Sequence, residues 1–209
     1  MKFVLIVILV IFYGCSLAPI STPRSAQSLG KNKNKIEVMP MIPVLGFNYQ
    51  RGISENFDLG FSIEQQLAPV ASGFFKYSFI NQPEDFSLAS TGGLFYGSGI
   101  VNTKGFHLGM ITSYRKKWFE AFLYPRYNHL QWDGSNLTSD QEDSLVIDII
   151  NYASKMTIQY AQIDMGFNFY TSSVFNFGFG ASYLYFLSVE HIDQQGGTWI
   201  PEIFLGWKF

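Results

Sequence analysis

Along much of this chain, large apolar residues alternate with glycine, asparagine, serine or a charge. Between 175 and 187, Phe175, Phe177, Phe179, Ala181, Tyr183 and Tyr185 oppose Asn176, Gly178, Gly180 and Ser182. Between 156 and 170, Ala161, Ile163, Met165, Phe167 and Phe169 oppose Gln162, Asp164, Gly166 and Asn168. A period of two is a strand whose two faces meet different surroundings. Glycine and asparagine make a poor dry core. The pattern therefore predicts strands with large side chains turned out toward acyl chains and small or polar ones turned in. A water-soluble barrel would show the reverse.

Composition agrees. The 209 residues are 18% aromatic and only 14% charged, against about 25% charged in a soluble domain. Beyond the first twenty residues no apolar run reaches the ~20 residues that a spanning helix needs. The expected fold is all-β, an antiparallel up-and-down transmembrane β-barrel over 35–209. A formal net charge of -2, with basic clusters only at Lys31–Lys35 and Arg115–Lys117, argues against a nucleic-acid partner.

Strand-like runs fall at 43–52, 57–64, 72–80, 86–101, 106–114, 118–131, 156–170, 175–187 and 199–209. Connections alternate in length. Ile53–Asn56, Asn81–Asp85, Arg115–Lys117 and Thr171–Val174 are tight, whereas Gln66–Ala71, Asn102–Gly105, Asp133–Lys155 and Ser188–Gly197 lie on the other side. Nine runs are odd for a single-chain barrel, so Lys35–Met39 is read as a tenth strand, with eight as the alternative if short runs merge. In the longest loop, Ser139-Asp-Gln-Glu142 has capping-box spacing and Val146, Ile149, Ile150 and Ala153 follow at helical spacing. One short helix is expected there. Loop Asp133–Lys155 is the candidate contact surface for an external ligand, although packing on its own barrel is the plainer reading.

The last eleven residues, Trp199-Ile-Pro-Glu-Ile-Phe-Leu-Gly-Trp-Lys-Phe209, alternate to the end. With Ile203, Leu205, Trp207 and Phe209 on one face, this segment resembles the closing strand of bacterial outer-membrane β-barrels. The resemblance implies that these four residues are read by the barrel-assembly machinery and that the protein resides in the outer membrane. The string from Tyr49 to Gly60 likewise resembles a hairpin of uncharacterised small outer-membrane barrels. Only these two segments carry motif-like detail.

At the other end, Met1-Lys2 and the apolar Phe3–Tyr13 have the form of a signal peptide. Gly14-Cys15-Ser16 resembles a bacterial lipobox, with Phe12 and Tyr13 departing from its usual leucine and small residue. That resemblance implies a signal over 1–14 and lipidation of Cys15; cleavage near Ala18 or an uncleaved anchor over Phe3–Ile20 are the alternatives. As the only cysteine, Cys15 has no partner for a disulfide within the chain. Residues 15–34, rich in Ser, Pro, Lys and Asn, read as a flexible exposed tether.

Alternation places Asp58, Glu64, Lys76, Glu120, Arg126, Asp164, Glu202 and Lys208 in the lumen. Mixed signs in a narrow barrel pair into a structural network; a charge-lined pore is the sharper alternative. His107, His129 and His191 are isolated, and His129 with Ser135 matches neither lipid A deacylases nor outer-membrane phospholipases. No paired nucleophile and base, metal-ligand spacing or cofactor fingerprint is present, so no catalytic residue, metal or cofactor is expected. The leading expectation is a non-enzymatic outer-membrane barrel, lipid-anchored, with a structural, adhesive or narrow-channel role. A periplasmic lipoprotein with a soluble lipid-binding barrel is the alternative, and a lipid-modifying enzyme the third.

Overall fold

In the computed structural model, which describes residues 17–20, 23–40, 44–66, 68–99, 102–133, 155–189 and 196–209, ten strands hydrogen-bond in a ring. They are β1 (Asn34–Pro40), β2 (Leu45–Gly52), β3 (Phe57–Gln65), β4 (Pro69–Ile80), β5 (Phe86–Gly97), β6 (Asn102–Lys116), β7 (Phe119–Asp133), β8 (Lys155–Tyr170), β9 (Phe175–Val189) and β10 (Gly196–Lys208). Each is antiparallel to its chain neighbours, and β1 meets β10 to close the barrel. The seam pairs Ile36 with Trp207 and Val38 with Leu205. Beyond it, Asn34 N donates to Phe209 O at 2.7 Å and Phe209 N to Asn34 O at 2.9 Å. Closure leaves no unpaired strand edge.

The tight connections share one end of the barrel, here the turn end. Two of them repeat one device: Ser54 Oγ accepts from Phe57 N at 3.1 Å, and Ser172 Oγ from Phe175 N at 3.0 Å. Backbone N–H groups of Ile53 and Ser54 converge on Phe57 O, as those of Thr171 and Ser172 do on Phe175 O. A serine hydroxyl held this way fixes a short turn without glycine. The opposite, loop end carries the connections after β1, β3, β5, β7 and β9.

Most strand limits differ from the sequence reading, those of β4, β5 and β6 among the most. The β5–β6 connection follows Gly97, not Val101, and β6 begins at Asn102, because Asn102–Gly105 pairs with Leu130–Asp133 and buries Thr103. Likewise Pro69–Ala71, read as loop, starts β4; its proline stands first in the strand, where a missing N–H costs least. The expected helix lies outside the described residues, and none of the described residues is helical.

Large apolar side chains do point outward. Leu94 is 72% exposed, Phe79 58%, Leu108 53% and Ile203 51%, while Phe61, Phe167, Phe177 and Phe179 lie on the same outer surface. Cross-strand ring contacts tile it, as between Phe167 and Phe179 (5.7 Å) and between Phe169 and Phe177 (5.4 Å). The interior is less uniform than the alternation implies. Its turn-end half is polar, but Val70, Phe95, Leu130, Trp132, Ile158, Tyr160 and Leu184 form a buried apolar cluster toward the loop end.

Candidate functional site

The lumen contains the chain's own N-terminal segment. Residues 17–20 and 23–30, part of the segment 15–34 expected as an exposed tether, lie inside the barrel, with Ala18, Ile20, Arg24 and Ala26 all buried. The reason is chemical: the segment's backbone groups and its arginine meet wall side chains one by one, and such pairing has no periodicity to read in a sequence. Gly30 starts at the turn end, its carbonyl beside Gly52, where any Cβ would collide at 2.0 Å. Next, Ser28 Oγ donates to Asp58 at 2.8 Å and Leu29 N to the same carboxylate at 3.2 Å. Ala26 O accepts from Ser78 Oγ at 2.7 Å, and Ala26 N donates to Ser113 Oγ at 3.2 Å. Ile20 N then reaches Glu64 at 2.9 Å, Ala18 N reaches Tyr160 Oη at 3.1 Å, and Leu17 N reaches Gln66 Oε1 at 2.9 Å. Gln66 belongs to the loop end, so this strap spans the lumen from one mouth to the other.

Arg24 is its electrostatic centre. Its guanidinium donates to Glu202 Oε2 at 2.8 and 3.0 Å and pairs with Glu37. It also lies 4.4 Å over the Phe204 ring. Gly178 opposite admits that ring, since a Cβ there would stand 2.3 Å from it. Two carboxylates from strands flanking the seam thus converge on a cation from the strap, and each supplies the charge that the other's burial demands.

Of the lumen charges expected from alternation, Asp58, Glu64, Lys76, Glu120, Arg126, Asp164 and Glu202 are buried inside, and Lys208 is half-buried at the turn-end mouth. They do not meet at one point. Lys76 pairs with Asp58 at 3.1 Å and donates to the carbonyls of Ser25 and Gln27. Glu120 accepts from Ser25 at 2.7 Å and from Tyr170 Oη. Arg126 donates to Pro19 O and stands 3.7 Å from Asp164, an ion pair without a hydrogen bond. Sequence reasoning missed Arg24, Glu37 and Lys35. The last two sit on β1, too short to display a clear face, and Lys35 pairs with Glu37 at 2.7 Å.

A second group lies on the inner wall of β6, β7 and β8. His107 faces Asn128 across the β6–β7 pair, and Arg126 faces Gln162 across β7–β8. Both ring nitrogens of His107, both amide atoms of Asn128 and Gln162 Oε1 are buried without a protein partner. Groups of this kind in folded proteins are served by bound water. His129 is elsewhere, on the outer face stacked against Phe106 at 5.2 Å. Ser135, His191 and Cys15 lie outside the described residues. No group of three metal-ligating side chains occurs among the described residues. The terminal Ile203, Trp207 and Phe209 are exposed on the outer surface, with Leu205 half-buried beside them.

These features define a closed, ten-stranded antiparallel barrel with an apolar exterior and a charged lumen occupied by its own N-terminal segment. Among solved structures the chain is similar to the N-terminal β-barrel domain of Pseudomonas aeruginosa OprF, at 18% identity and a TM-score of 0.41, over 86% of this chain and 99% of that one. No protein-family model and no curated protein matches it.

Proposed function

We propose that this protein is an integral barrel of the bacterial outer membrane, lipid-anchored at Cys15, with a structural role and a lumen closed by the strap. The observation that carries the reading is the polarity of the ring: apolar side chains face out and charges face in. In hydrocarbon every backbone N–H and C=O needs an internal partner, and a ring without edges supplies one to each strand. The outward side chains then each gain the transfer energy that water denies them, on the order of 1 kcal/mol for a half-exposed Leu or Phe. Short turns and a C-terminal strand at one end support a periplasmic turn end, with loop Asp133–Lys155 on the outside as the candidate contact for a surface ligand. On this reading the barrel-assembly machinery recognises Ile203, Leu205, Trp207 and Phe209.

A soluble lipid-binding barrel is less well supported, because the described lumen is taken up by the strap and its ion pairs. We assign no catalytic step: His129 faces outward, away from the lumen acids.

The membrane reading is tested by expressing the full chain in a Gram-negative host and washing the membranes with alkaline carbonate. Retention in the outer-membrane fraction and faster migration of the unheated protein on a gel are expected. Release into the supernatant would overturn it. Labelling with a palmitate analogue, lost in Cys15→Ser, tests the anchor separately.

A further inference from the structure

We infer that the turn-end mouth of the lumen is a binding site for a phosphate group. A cavity of about 260 Å³ opens there between the strap and β1, β6 and β10. Among the described residues its wall contains five cationic side chains, Arg24, Lys35, Lys76, Arg115 and Lys208, and no carboxylate. That volume equals the liquid share of roughly eight or nine waters, enough for a phosphate with a small substituent.

Three of the five are already engaged. Arg24 holds Glu37 and Glu202, Lys35 holds Glu37, and Lys76 holds Asp58. Arg115 and Lys208 have no carboxylate within 4 Å among the described residues. Glu120 is the cross-strand partner of Arg115, yet its oxygens are taken by Ser25, Tyr170 and Asn168. Arg115 is also held in place. Its guanidinium lies 3.7 Å over the Tyr170 ring and donates to Gln27 Oε1 at 3.3 Å. A fixed planar fork beside an ammonium, both lining one cavity, is the donor set that receives a phosphate, the fork two oxygens at once and the ammonium as a point charge.

Charge is distributed in the same sense over the whole molecule. The turn end and its approach carry Lys31, Lys33, Arg51, Lys116 and Lys117 in addition to the five cavity cations, against Glu55, Glu84 and Asp85 and the buried Glu37, Asp58, Glu120 and Glu202. The resulting field draws anions toward this mouth. A phosphate could come from solution or from a lipid headgroup at the membrane surface, and the chemistry that receives it is the same. The inference needs the barrel and the strap, not the membrane placement.

The test uses the full chain folded in an uncharged detergent. Inorganic phosphate and glycerol phosphate are titrated calorimetrically, and the protein is then placed in phosphatidylcholine vesicles with and without phosphatidylglycerol. Saturable binding is expected for at least one phosphate probe. Arg115→Gln combined with Lys208→Gln should weaken it at least about tenfold, the loss of one or two charge-assisted hydrogen bonds. Lys116→Gln with Lys117→Gln, both exposed and contributing only to the screened field, should weaken it by no more than about twofold, and Lys208→Arg should retain it. Binding of the free ions in micelles identifies a soluble source, and binding only in phosphatidylglycerol vesicles a lipid one. Unheated gel mobility shows which variants are folded; if the double variant is not, Lys208→Gln alone is read. Absence of saturable binding with every probe, or equal binding by the charge-removed and wild-type proteins, overturns the inference.

Discussion

Arg24→Met removes the cation on which two buried carboxylates depend, and its cost can be worked from the lumen geometry. The arginine makes two hydrogen bonds to Glu202, at 2.8 and 3.0 Å, and an ion pair with Glu37. Both acids are at most 5% exposed. Stripping one partner from a buried pair costs about 3–5 kcal/mol, because a charge stays behind in a poor solvent. Glu37 keeps Lys35 at 2.7 Å, so Glu202 alone is left without a cation within 4 Å among the described residues, and the expected loss is near the lower figure. About 3 kcal/mol corresponds to a shift of roughly a hundredfold in the folding equilibrium. Equilibrium unfolding in urea with detergent micelles or vesicles, followed by tryptophan fluorescence, measures it. Replacing the acids together with the arginine, as Arg24→Met with Glu37→Gln and Glu202→Gln, should restore most of the lost stability. If Arg24→Met unfolds at the wild-type midpoint, the strap does not occupy the lumen, and the account of residues 17–30 fails.

Three further outcomes follow from the same structure. Leu108→Arg, at mid-strand on the outer face, should destabilise the vesicle-inserted barrel by about 2–4 kcal/mol; a shift of less than ~0.5 kcal/mol, as at a wetted surface, would mean that this face does not meet lipid. Gly178→Ala should cost about 1–3 kcal/mol by overpacking against Phe204, read as a lower unfolding midpoint, and Phe204→Leu should relieve part of it. Deleting Phe209 removes both backbone hydrogen bonds to Asn34, each worth about 1 kcal/mol. Slower formation of the fast-migrating gel species is expected, and unchanged kinetics would show that closure does not depend on the seam's last pair.

The ring was legible because its forces are periodic. Strands such as β3 and β9 show their faces through Phe61 against Ser62 or Phe179 against Gly180, and the inward positions of seven charges follow from the same alternation. Strand ends were less legible. Thr103 looked like loop beside Asn102 and Gly105, and only its pairing with Trp132 makes it strand. The apolar cluster around Leu130, Tyr160 and Leu184 was hidden for a related reason, since a strand with large residues on both faces shows weak alternation. The strap was not legible at all. Ser28, Ala26 and Ile20 meet partners on β3, β4 and β6, and neither their polarity nor their proline-rich neighbourhood differs from that of a solvated linker. The turn-end cations were visible as Lys31–Lys35 and Arg115–Lys117, but their convergence with Lys208 depends on the closure of β1 onto β10.

A strap continuous with β1 and held at both mouths also constrains the order of events during folding. Once β1 has met β10, Leu17 could reach the loop end only by being drawn through a passage already crowded with side chains. The cylinder must therefore wrap around its own leader, as a hoop is bent around a rope and then riveted. Leu17, bonded to Gln66, and Phe209, bonded to Asn34, thereby come to lie at opposite mouths of one cylinder.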